Sequence, residues 1–467
     1  MARTTAPTAD RAQTGDVTIL PVRRLSGVYT PPPDKSISHR ALILAALATG
    51  RSTVTPLSRS ADVAGTAACL RQLGVAIDAG ENQWVIQSPG VNQWTAPERA
   101  LDCGNSGTTM RLLAGCLAGG RFSSRLVGDP SLSHRPMARL AEPLQRMGAN
   151  ITLAAGNVAP IEIVGLSLRG IEYELPVASA QIKSAILLAG LQASGNVSVI
   201  EPIPSRDHTE RMLAAAGVGC TVDVPRRPPG DWREQLLASD GDAEPDSPAR
   251  RTIRLGAGRS VRPCDWTVPG DFSAAAFIIA AAIGVHKSDI IISDVGLNPT
   301  RTGFLRAVRR MGATVDVKPK GTTGGEPCGQ IRLQSAAALK AIKVSAAEIP
   351  ALIDELPILA VLAARAEGVA VIRGAGELRH KESDRIATVT ANLRAMGVKV
   401  AELEDGWAIE GPTEWHAATI DPAGDHRIAM AFAVAALWAD GPSTIQDARI
   451  AGVSDPDFFD SLSALSR

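Results

Sequence analysis

Basic side chains of this chain are concentrated in short polar clusters at the start of apolar, alanine-rich stretches. Six of them stand in such clusters: Lys35, Arg40, Arg135, Lys381, Arg385 and Arg427. The sequence as a whole has 48 Lys and Arg against 48 Asp and Glu, so its formal net charge is zero. Helix N-termini attract anions, and Arg and Lys bind carboxylate and phosphate. The pattern therefore predicts a site for small ligands with several negative charges.

The first cluster, DKSISHR, places Lys35, Ser36 and Arg40 in the first turns of an apolar helix. Cations at a helix N-terminus oppose the helix dipole, and a bound anion would relieve that conflict. The alternative is a capping Ser with solvated basic neighbours. We favour anion binding for these three residues, and we expect His39 to be structural.

The cluster GNSGTTMR contains Gly107, which leaves room for a ligand, and Asn105, which can orient one. Arg111, in the same cluster, is expected to make an internal ion pair. In GDPSLSHRPM, Arg135 stands directly before a proline, a residue typical of a first helical turn. This position predicts a second anion clamp, and the alternative is a surface arginine.

Two further clusters, SAQIKSA and SRDHTER, each open a predicted helix. The first contributes Ser179 and Gln181, and the second contributes Ser205 and Arg206. Hydroxyl and guanidinium groups at two helix starts are suited to closing on one phosphate. For Lys183, a ligand contact and a structural role remain equally open.

Two carboxylates stand among these cations: Asp354 in DELP and Glu382 in KESDR. A carboxylate at the start of a buried helix is costly to desolvate unless it is paired. Acids among cations at helix ends are candidates for proton transfer, although a simple salt bridge is the alternative for Glu382. In DHRIAM, Arg427 adds another anion clamp that Asp425 and His426 would cap or orient.

The elements that position these clusters recur along the chain. An alanine-rich helix, an amphipathic helix ending in Gly and several short strands repeat about every 70–90 residues, which is typical of a repeat architecture. The predicted fold is mixed α/β, with each apolar helix buried among sheets. The six predicted buried helices lie within 34–50, 105–120, 179–195, 270–284, 354–368 and 424–441.

Two proline-rich stretches, PPPD and PCDWTVPGD, interrupt the repeat and predict crossovers between two halves of the chain. The Pro-, Gly- and Asp-rich stretch that ends in SPARR is typical of a solvated loop. The predicted segments are a disordered tail (1–16), a first domain of three repeats (17–33 plus 266–467), a second domain of three repeats (34–265) and, within it, a surface insertion loop (225–251).

Composition excludes several function classes. The absence of a basic excess disfavours nucleic-acid binding, and 3% aromatic residues offer no base-stacking surface. The six Cys are scattered without a C-x-x-C pair, which predicts reduced residues in a cytoplasmic protein and no zinc site. The apolar runs are too short to span a bilayer, and the first residues lack the apolar core of a secretion signal.

Taken together and in order, the motifs from DKSISHR to DHRIAM resemble the EPSP synthase (3-phosphoshikimate 1-carboxyvinyltransferase) family of enolpyruvyl transferases, over about residues 17–467. The resemblance implies a two-domain inside-out barrel of six βαβαββ repeats, three per domain, around buried parallel helices. It implies transfer of the enolpyruvyl group of phosphoenolpyruvate to the 5-hydroxyl of shikimate 3-phosphate, with release of phosphate through a tetrahedral intermediate. This reaction belongs to the shikimate pathway of aromatic amino acid biosynthesis. It needs no metal and no organic cofactor, and we expect a monomer with no partner beyond the two substrates.

The resemblance also implies roles for the cluster residues. Asp354 would accept the proton of the attacking hydroxyl, and Glu382, with Lys35 and Lys381 nearby, would move the proton at the methylene carbon. The residues implied for shikimate 3-phosphate are Lys35, Ser36, Arg40, Ser179, Gln181, Ser205, Arg206, Asp354 and Lys381. The residues implied for phosphoenolpyruvate are Lys35, Asn105, Gly107, Arg135, Gln181, Arg385 and Arg427.

A missing lysine and a small glycine concern the implied phosphoenolpyruvate site. Many family members have a Lys shortly before the last aromatic segment, where this chain reads AGVSDPDFF at 451–459 without one. Gly107 is the small residue typical of glyphosate-sensitive forms, so we expect competitive inhibition by glyphosate. Two alternatives remain open: a UDP-N-acetylglucosamine 1-carboxyvinyltransferase, which typically has Lys-Asn in place of Lys35-Ser36, and a non-catalytic scaffold that binds phosphorylated metabolites.

Overall fold

The structure, a computed structural model, describes residues 15–81, 83–224 and 250–466. Most of the predicted tail (1–16) and most of the predicted insertion loop (225–251) lie outside the described residues. At the end of that loop, Arg251 already belongs to a strand.

The strands are short and alternate with helices along the described chain. They are β1 (Val17–Ile19), β2 (Ser26–Tyr29), β3 (Thr49–Thr55), β4 (Ala76–Ala79), β5 (Trp84–Pro89), β6 (Leu101–Asp102), β7 (Ser123–Val127), β8 (Asn150–Ala154), β9 (Val158–Val164), β10 (Arg169–Glu174), β11 (Ser194–Glu201), β12 (Cys220–Asp223), β13 (Arg251–Leu255), β14 (Asp265–Thr267), β15 (Asp289–Gly296), β16 (Val315–Thr323), β17 (Glu326–Gln334), β18 (Leu339–Lys340), β19 (Lys343–Val344), β20 (Ala366–Ile372), β21 (Lys399–Leu403), β22 (Gly406–Gly411), β23 (Thr419–Ile420) and β24 (Ser443–Ile445).

The helices include the six predicted apolar ones, each of which is buried over most of its length. The α-helices of the described residues are α1 (Lys35–Leu47), α2 (Ala61–Gln72), α3 (Gly107–Leu117), α4 (Pro130–Ser133), α5 (Ala138–Arg146), α6 (Ala180–Gly190), α7 (His208–Ala215), α8 (Phe272–Gly284), α9 (Gly303–Arg310), α10 (Leu356–Ala363), α11 (Arg385–Ala395), α12 (His426–Ala436) and α13 (Phe458–Leu465).

The sheets confirm the repeated unit. In three of them the first strand in chain order lies parallel to the second, and the fourth lies antiparallel between the second and the third, as in β10-β11-β13-β12. Two more sheets have the same layout, one with β14, the last of its strands in chain order, in the place of the first strand, and one with β19 as an additional parallel partner of β20. The six sheets of the described residues are β14-β3-β5-β4, β6-β7-β9-β8, β10-β11-β13-β12, β2-β15-β17-β16, β18-β20-β22-β21 and β23-β24-β1. Each is a separate hydrogen-bonded sheet that packs on the buried helices. The α/β prediction is therefore confirmed, and the sheets of the described residues do not join into one closed barrel.

The ends of the helices follow from local chemistry. Asp34, Ser106, Ser179, Asp271 and Asp425 cap five of the buried helices, because each side chain accepts a hydrogen bond from a backbone N–H of the first turn. The amphipathic helices end before Gly residues with left-handed backbone, as the sequence predicts. These are Gly74, Gly148, Gly217, Gly312 and Gly397, with φ between 80° and 106°.

The buried apolar residues form two clusters. One contains Val17, Leu25, Tyr29 and residues from 272 to 465, and the other contains residues from 37 to 268. We propose that these clusters are the cores of the two domains. Trp266 and Val268 lie in the second cluster and β14 pairs with β3, so the boundary in this proposal falls at 268–271 rather than at 265.

The two predicted crossovers lie side by side. The Asp34 N–H donates to the Pro269 carbonyl at 2.8 Å, and the Asp271 N–H donates to the Pro32 carbonyl at 2.7 Å. The Arg301 guanidinium lies 3.2 Å from a carboxylate oxygen of each aspartate. Because Asp34 caps α1 and Asp271 caps α8, this contact joins the first buried helix of each half.

The segment that lacks the family lysine makes a different contact. The Tyr29 hydroxyl donates to the Asp455 carboxylate at 2.9 Å, which ties β2 to the loop before α13. Burial raises the pKa of Asp455 to about 6. The folded protein therefore binds this proton more tightly than the unfolded chain does, and this group lowers stability as pH rises from about 4 to about 6.

Asp455→Asn should stabilise the protein above about pH 6, because the amide cannot ionise and can donate to the Tyr29 oxygen. We expect a gain of about 1–2 kcal/mol in the free energy of unfolding near pH 7.5, disappearing near pH 4. Urea unfolding at both pH values measures it. Asp457→Asn, at an exposed carboxyl two residues away, is the control, and a pH-independent gain from Asp455→Asn would contradict the explanation.

Candidate active site

Asp354 lies where the two halves of the chain meet, two residues before α10. Its Oδ2 is 2.6 Å from Arg206 Nη2 and 3.6 Å from Arg427 Nη2, and its Oδ1 is 3.7 Å from Arg385 Nη1. Burial alone would raise the pKa of Asp354, but the surrounding cations, Arg427 and Arg206 foremost, hold it well below its usual range. Asp354 is thus a paired, ionised carboxylate.

Arg385 is the buried centre of this cluster, with a side chain only 1% exposed. Its Nε is 2.7 Å from Asp425 Oδ2, and its Nη2 is 2.7 Å from Glu382 Oε2. Asp425 also caps α12 by accepting from the Arg427 N–H at 2.9 Å. The capping aspartate of one helix therefore fixes the guanidinium at the start of another, α11.

Glu382 links this centre to the other half of the chain. Its Oε1 lies 3.9 Å from Arg135 Nη2, and Arg135 in turn donates to Asn105 Oδ1 at 2.7 Å. Burial would raise the pKa of Glu382, but Arg385, Arg135 and the other nearby cations hold it well below its usual range. The salt bridge that was the alternative for Glu382 does form, and it lies inside the cation cluster.

Lys381 and His426 lie beside these carboxylates. Burial lowers the pKa of Lys381 below its usual value, against the opposing effect of Asp354. Burial and the Lys35 charge lower the pKa of His426 to about 3, so this imidazole is neutral at ordinary pH. Lys381 is therefore the basic group of the cluster that gives up its proton more readily than a solvated lysine would.

The predicted DKSISHR cluster lies along the start of α1. Lys35 Nζ is 3.1 Å from Asp62 of α2, and the Lys35 N–H donates to Asp271 at 3.1 Å. Arg40 is buried and donates to Thr209 at 2.8 Å and to Ser184 at 3.0 Å. Its Nη1 donates to the Ser36 carbonyl at 2.9 Å. No sequence pattern indicated that Asp62 would be the ion-pair partner of Lys35.

Gln181 is held at the start of α6 by two groups from α3. Arg111 Nη1 donates to its Oε1 at 2.8 Å, and its Nε2 donates to Thr108 at 3.0 Å. The expected internal ion pair of Arg111 is therefore wrong, because its side-chain partner is a neutral amide. Gly107 opens α3 beside them, and a Cβ added there would lie 2.4 Å from Arg111 Nη1 and 3.5 Å from Arg135 Nη1.

The two predicted phosphate-binding serines have local partners. The Ser179 hydroxyl caps α6 by accepting from the Ile182 N–H at 3.4 Å. The Ser205 N–H donates to Glu201 Oε1 at 3.0 Å, and the Ser205 hydroxyl donates to the same oxygen. Lys183, whose role was open, is fully buried between Glu201 and Glu210, so it makes no contact with the cleft.

The ion pairs that join residues on opposite sides of the junction between the halves include Arg206 with Asp354, Arg135 with Glu382 and, at the exposed rim, Arg139 with Glu377. The structure thus brings Arg135, Arg385 and Arg427 to one cluster around two carboxylates. Asn105 is hydrogen-bonded to Arg135 of this cluster. Gln181 is hydrogen-bonded to Arg111, whose pKa is lowered by burial and by the nearby Arg135 charge. Lys35 acts on the cluster through its charge, which helps to lower the pKa of His426.

Residues 15–81, 83–224 and 250–466 contain no group of three or more His, Cys, Asp and Glu placed to hold a metal ion. Over the same ranges, none of the helices combines the length and hydropathy that a bilayer crossing requires. The six cysteines are free thiols, three of them buried.

Arg385→Met should destabilise the protein by about 3–5 kcal/mol, because Asp425 and Glu382 would be left buried without their cation. Arg139→Met is the matched control, since its pair with Glu377 is about half exposed, and we expect less than about 1 kcal/mol for it. Urea unfolding of the two variants compares them directly. Equal effects would show that burial of the Arg385 cluster does not govern its energetics.

Comparison with known proteins identifies the family of the chain. The family model described as EPSP synthase (3-phosphoshikimate 1-carboxyvinyltransferase) matches residues 19–227 and 246–462. A 3-phosphoshikimate 1-carboxyvinyltransferase of Synechococcus sp. (strain JA-3-3Ab) is 46% identical over 99% of this chain and 98% of its own, and that of Bacillus subtilis (strain 168) is 42% identical over 96% and 98%.

Solved structures give the same result. An EPSP synthase from Acinetobacter baumannii superposes with a TM-score of 0.80 at 38% identity, covering 96% of this chain and 98% of that one. The enolpyruvyl transferase NikO from Streptomyces tendae, at 18% identity, shares the fold with a TM-score of 0.72 over 96% of each chain. The chain belongs to the EPSP synthase family.

Proposed function

We propose that the chain transfers the enolpyruvyl group of phosphoenolpyruvate to the 5-hydroxyl of shikimate 3-phosphate and releases phosphate. The observation that carries this proposal is the cluster around Asp354 and Glu382, in which cations from both halves surround two ionised carboxylates. Family membership supports it, because the curated relatives bear the name of this activity. A scaffold that only binds phosphorylated metabolites would not need the two carboxylates.

The donor, phosphoenolpyruvate, has a phosphate and a carboxylate that match the guanidinium groups. We assign Arg135, Arg385 and Arg427 to it, together with Gln181 and Lys35. Asn105 orients Arg135, to which it is hydrogen-bonded. Gly107 supplies the open space beside Arg135. The segment 451–459, which has no lysine, takes no part in these proposed contacts.

The acceptor, shikimate 3-phosphate, lies across the junction in this proposal. Ser179, Ser205 and Arg206 hold its phosphate at the starts of α6 and α7. The residues assigned to its ring are Lys35, Ser36, Arg40, Gln181, Asp354 and Lys381. Because Arg206 is paired with Asp354 at 2.6 Å, a phosphate that takes Arg206 frees one oxygen of Asp354 for the 5-hydroxyl.

Proton transfer follows from the two carboxylates. The 5-hydroxyl attacks C2 of phosphoenolpyruvate while Asp354 accepts its proton, and the C3 methylene gains a proton from Glu382 to become a methyl group. In the second step the C2–O bond to phosphate breaks, and Glu382 takes a proton back from the methyl group. The cations that depress the pKa of Glu382 are the groups that the donor's anions neutralise, so binding raises this pKa toward the range of a general acid.

The remaining assignments follow from the same chemistry. Cations stabilise the phosphate and carboxylate of the donor, and the carboxylates move protons, so the reaction is written without a metal or an organic cofactor. We propose a monomer that acts in the cytoplasm.

The direct test is release of phosphate from phosphoenolpyruvate by the purified protein. We expect release that depends on shikimate 3-phosphate and forms 5-enolpyruvylshikimate 3-phosphate. Release that requires a UDP-sugar instead would identify the alternative transferase. Binding of both ligands without turnover would identify a scaffold.

Glu382→Gln and Asp354→Asn should each lower kcat by about 10²–10⁴, the usual contribution of a general acid or base, with a smaller change in KM. Both variants keep the side-chain shape while removing the proton-transfer group. Glu377→Gln is the control, because its carboxylate pairs with Arg139 across the same junction but outside the cluster. The assignment fails if Glu377→Gln loses as much activity as the other two.

Gly107→Ala should raise the KM for phosphoenolpyruvate and weaken inhibition by glyphosate, each roughly tenfold, because the added methyl group displaces Arg111 and crowds Arg135. Initial-rate measurements with both ligands test this. Gly65→Ala is the control, since a Cβ there meets nothing within 4 Å. Unchanged inhibition in Gly107→Ala would refute the steric explanation.

A further inference from the structure

A buried charged triad lies beneath the loop between β11 and α7. Lys183 Nζ is 3.0 Å from Glu201 Oε1 and 2.7 Å from Glu210 Oε1, and the Lys183 and Glu201 side chains are 0% exposed. Removing three ionisable groups from water is costly, and an apolar trio would fill the same space more cheaply. The triad makes no contact with the cleft, and the mechanism above does not use it.

The triad connects to the cleft through one residue. Glu201 Oε1 accepts from the Ser205 N–H at 3.0 Å and from the Ser205 hydroxyl, in addition to its contact with Lys183. Glu201 thus anchors the loop 202–207 at Ser205. That loop also carries Arg206, which pairs with Asp354 across the junction.

The hydrogen bonds of Ser205 impose a condition on phosphate binding. A serine hydroxyl has one proton, and here it is donated to Glu201. A phosphate dianion can only accept, so the Ser205 hydroxyl can bind it only by turning this proton away from Glu201. The carboxylate then keeps two donors, the Ser205 N–H and Lys183. Without Lys183, it would keep one donor in a buried site, which is costly.

We propose that Lys183 is a positioning residue for the phosphate site, because it keeps Glu201 satisfied while the Ser205 hydroxyl changes its partner from Glu201 to the phosphate of shikimate 3-phosphate. The inference rests on the proposed function. It explains why a lysine stands in the buried part of α6. Glu210 does not share this role with Glu201, because it pairs with Lys183 but makes no hydrogen bond to Ser205 among the described contacts.

The experiment is a double-mutant cycle of Lys183→Met and Ser205→Ala, read by calorimetric titration with shikimate 3-phosphate and with shikimate. Lys183→Met should weaken shikimate 3-phosphate binding about tenfold, the effect of losing one charge-assisted hydrogen bond, and leave shikimate binding within about twofold. In the Ser205→Ala background it should have little further effect. Glu210→Gln is the matched control and should keep the wild-type preference for the phosphorylated ligand.

Each outcome decides the inference. Equal losses for the two ligands, additive losses in the cycle, or the same loss in Glu210→Gln would show that Lys183 only stabilises the fold. If Lys183→Met does not fold, Lys183→Met/Glu210→Met, which also removes one carboxyl, should show the same phosphate-specific loss. A wild-type protein without phosphate release from phosphoenolpyruvate would instead refute the proposed function, so the two failures are distinct.

Discussion

The buried guanidinium of Arg385 is the constraint on which the rest of the site depends. Its desolvation is compensated by carboxylates from three places: Asp425 before α12, Glu382 before α11 and Asp354 before α10. The starts of these helices must therefore lie together. The cations of the cluster keep both carboxyls ionised: Arg427 and Arg206 act most strongly on Asp354, and Arg385 acts most strongly on Glu382. The ion pairs that assemble the site therefore also set its acid–base state.

The cluster is complete only because two halves of the chain meet. Arg206 and Arg135 come from the half that contains α6 and α3, whereas their carboxylate partners come from the other half. The crossovers place these halves next to each other, with Arg301 between the caps of α1 and α8. Anions that bind Arg206 and Arg135 compete with the pairs across the junction, so ligand binding and the contact between the halves are linked.

Much of this arrangement could be predicted from the sequence. The apolar helices have long runs of Ala, Leu and Ile with polar caps, and their positions and the left-handed Gly ends follow from local rules. The cluster cations could be identified because they stand at helix starts. The partners that these residues find in distant segments could not be predicted from local patterns. For this reason the ion pair expected for Arg111 was wrong and the role of Lys183 stayed open. A single buried acid at the end of a strand, such as Glu201 in β11, indicates a buried cation nearby.

The pairing of β1 with β24 and of β2 with β15 has a consequence for how the chain folds during synthesis. β14 completes its sheet as soon as residue 267 leaves the ribosome, so the half around α1, α3 and α6 can then condense. β2 must wait for β15, and Val17 of β1 for Ile445 of β24, contacts of very high sequence separation. At four and three residues, the waiting strands expose little backbone for wrong pairing. Their brevity thus protects the nascent polypeptide from aggregation.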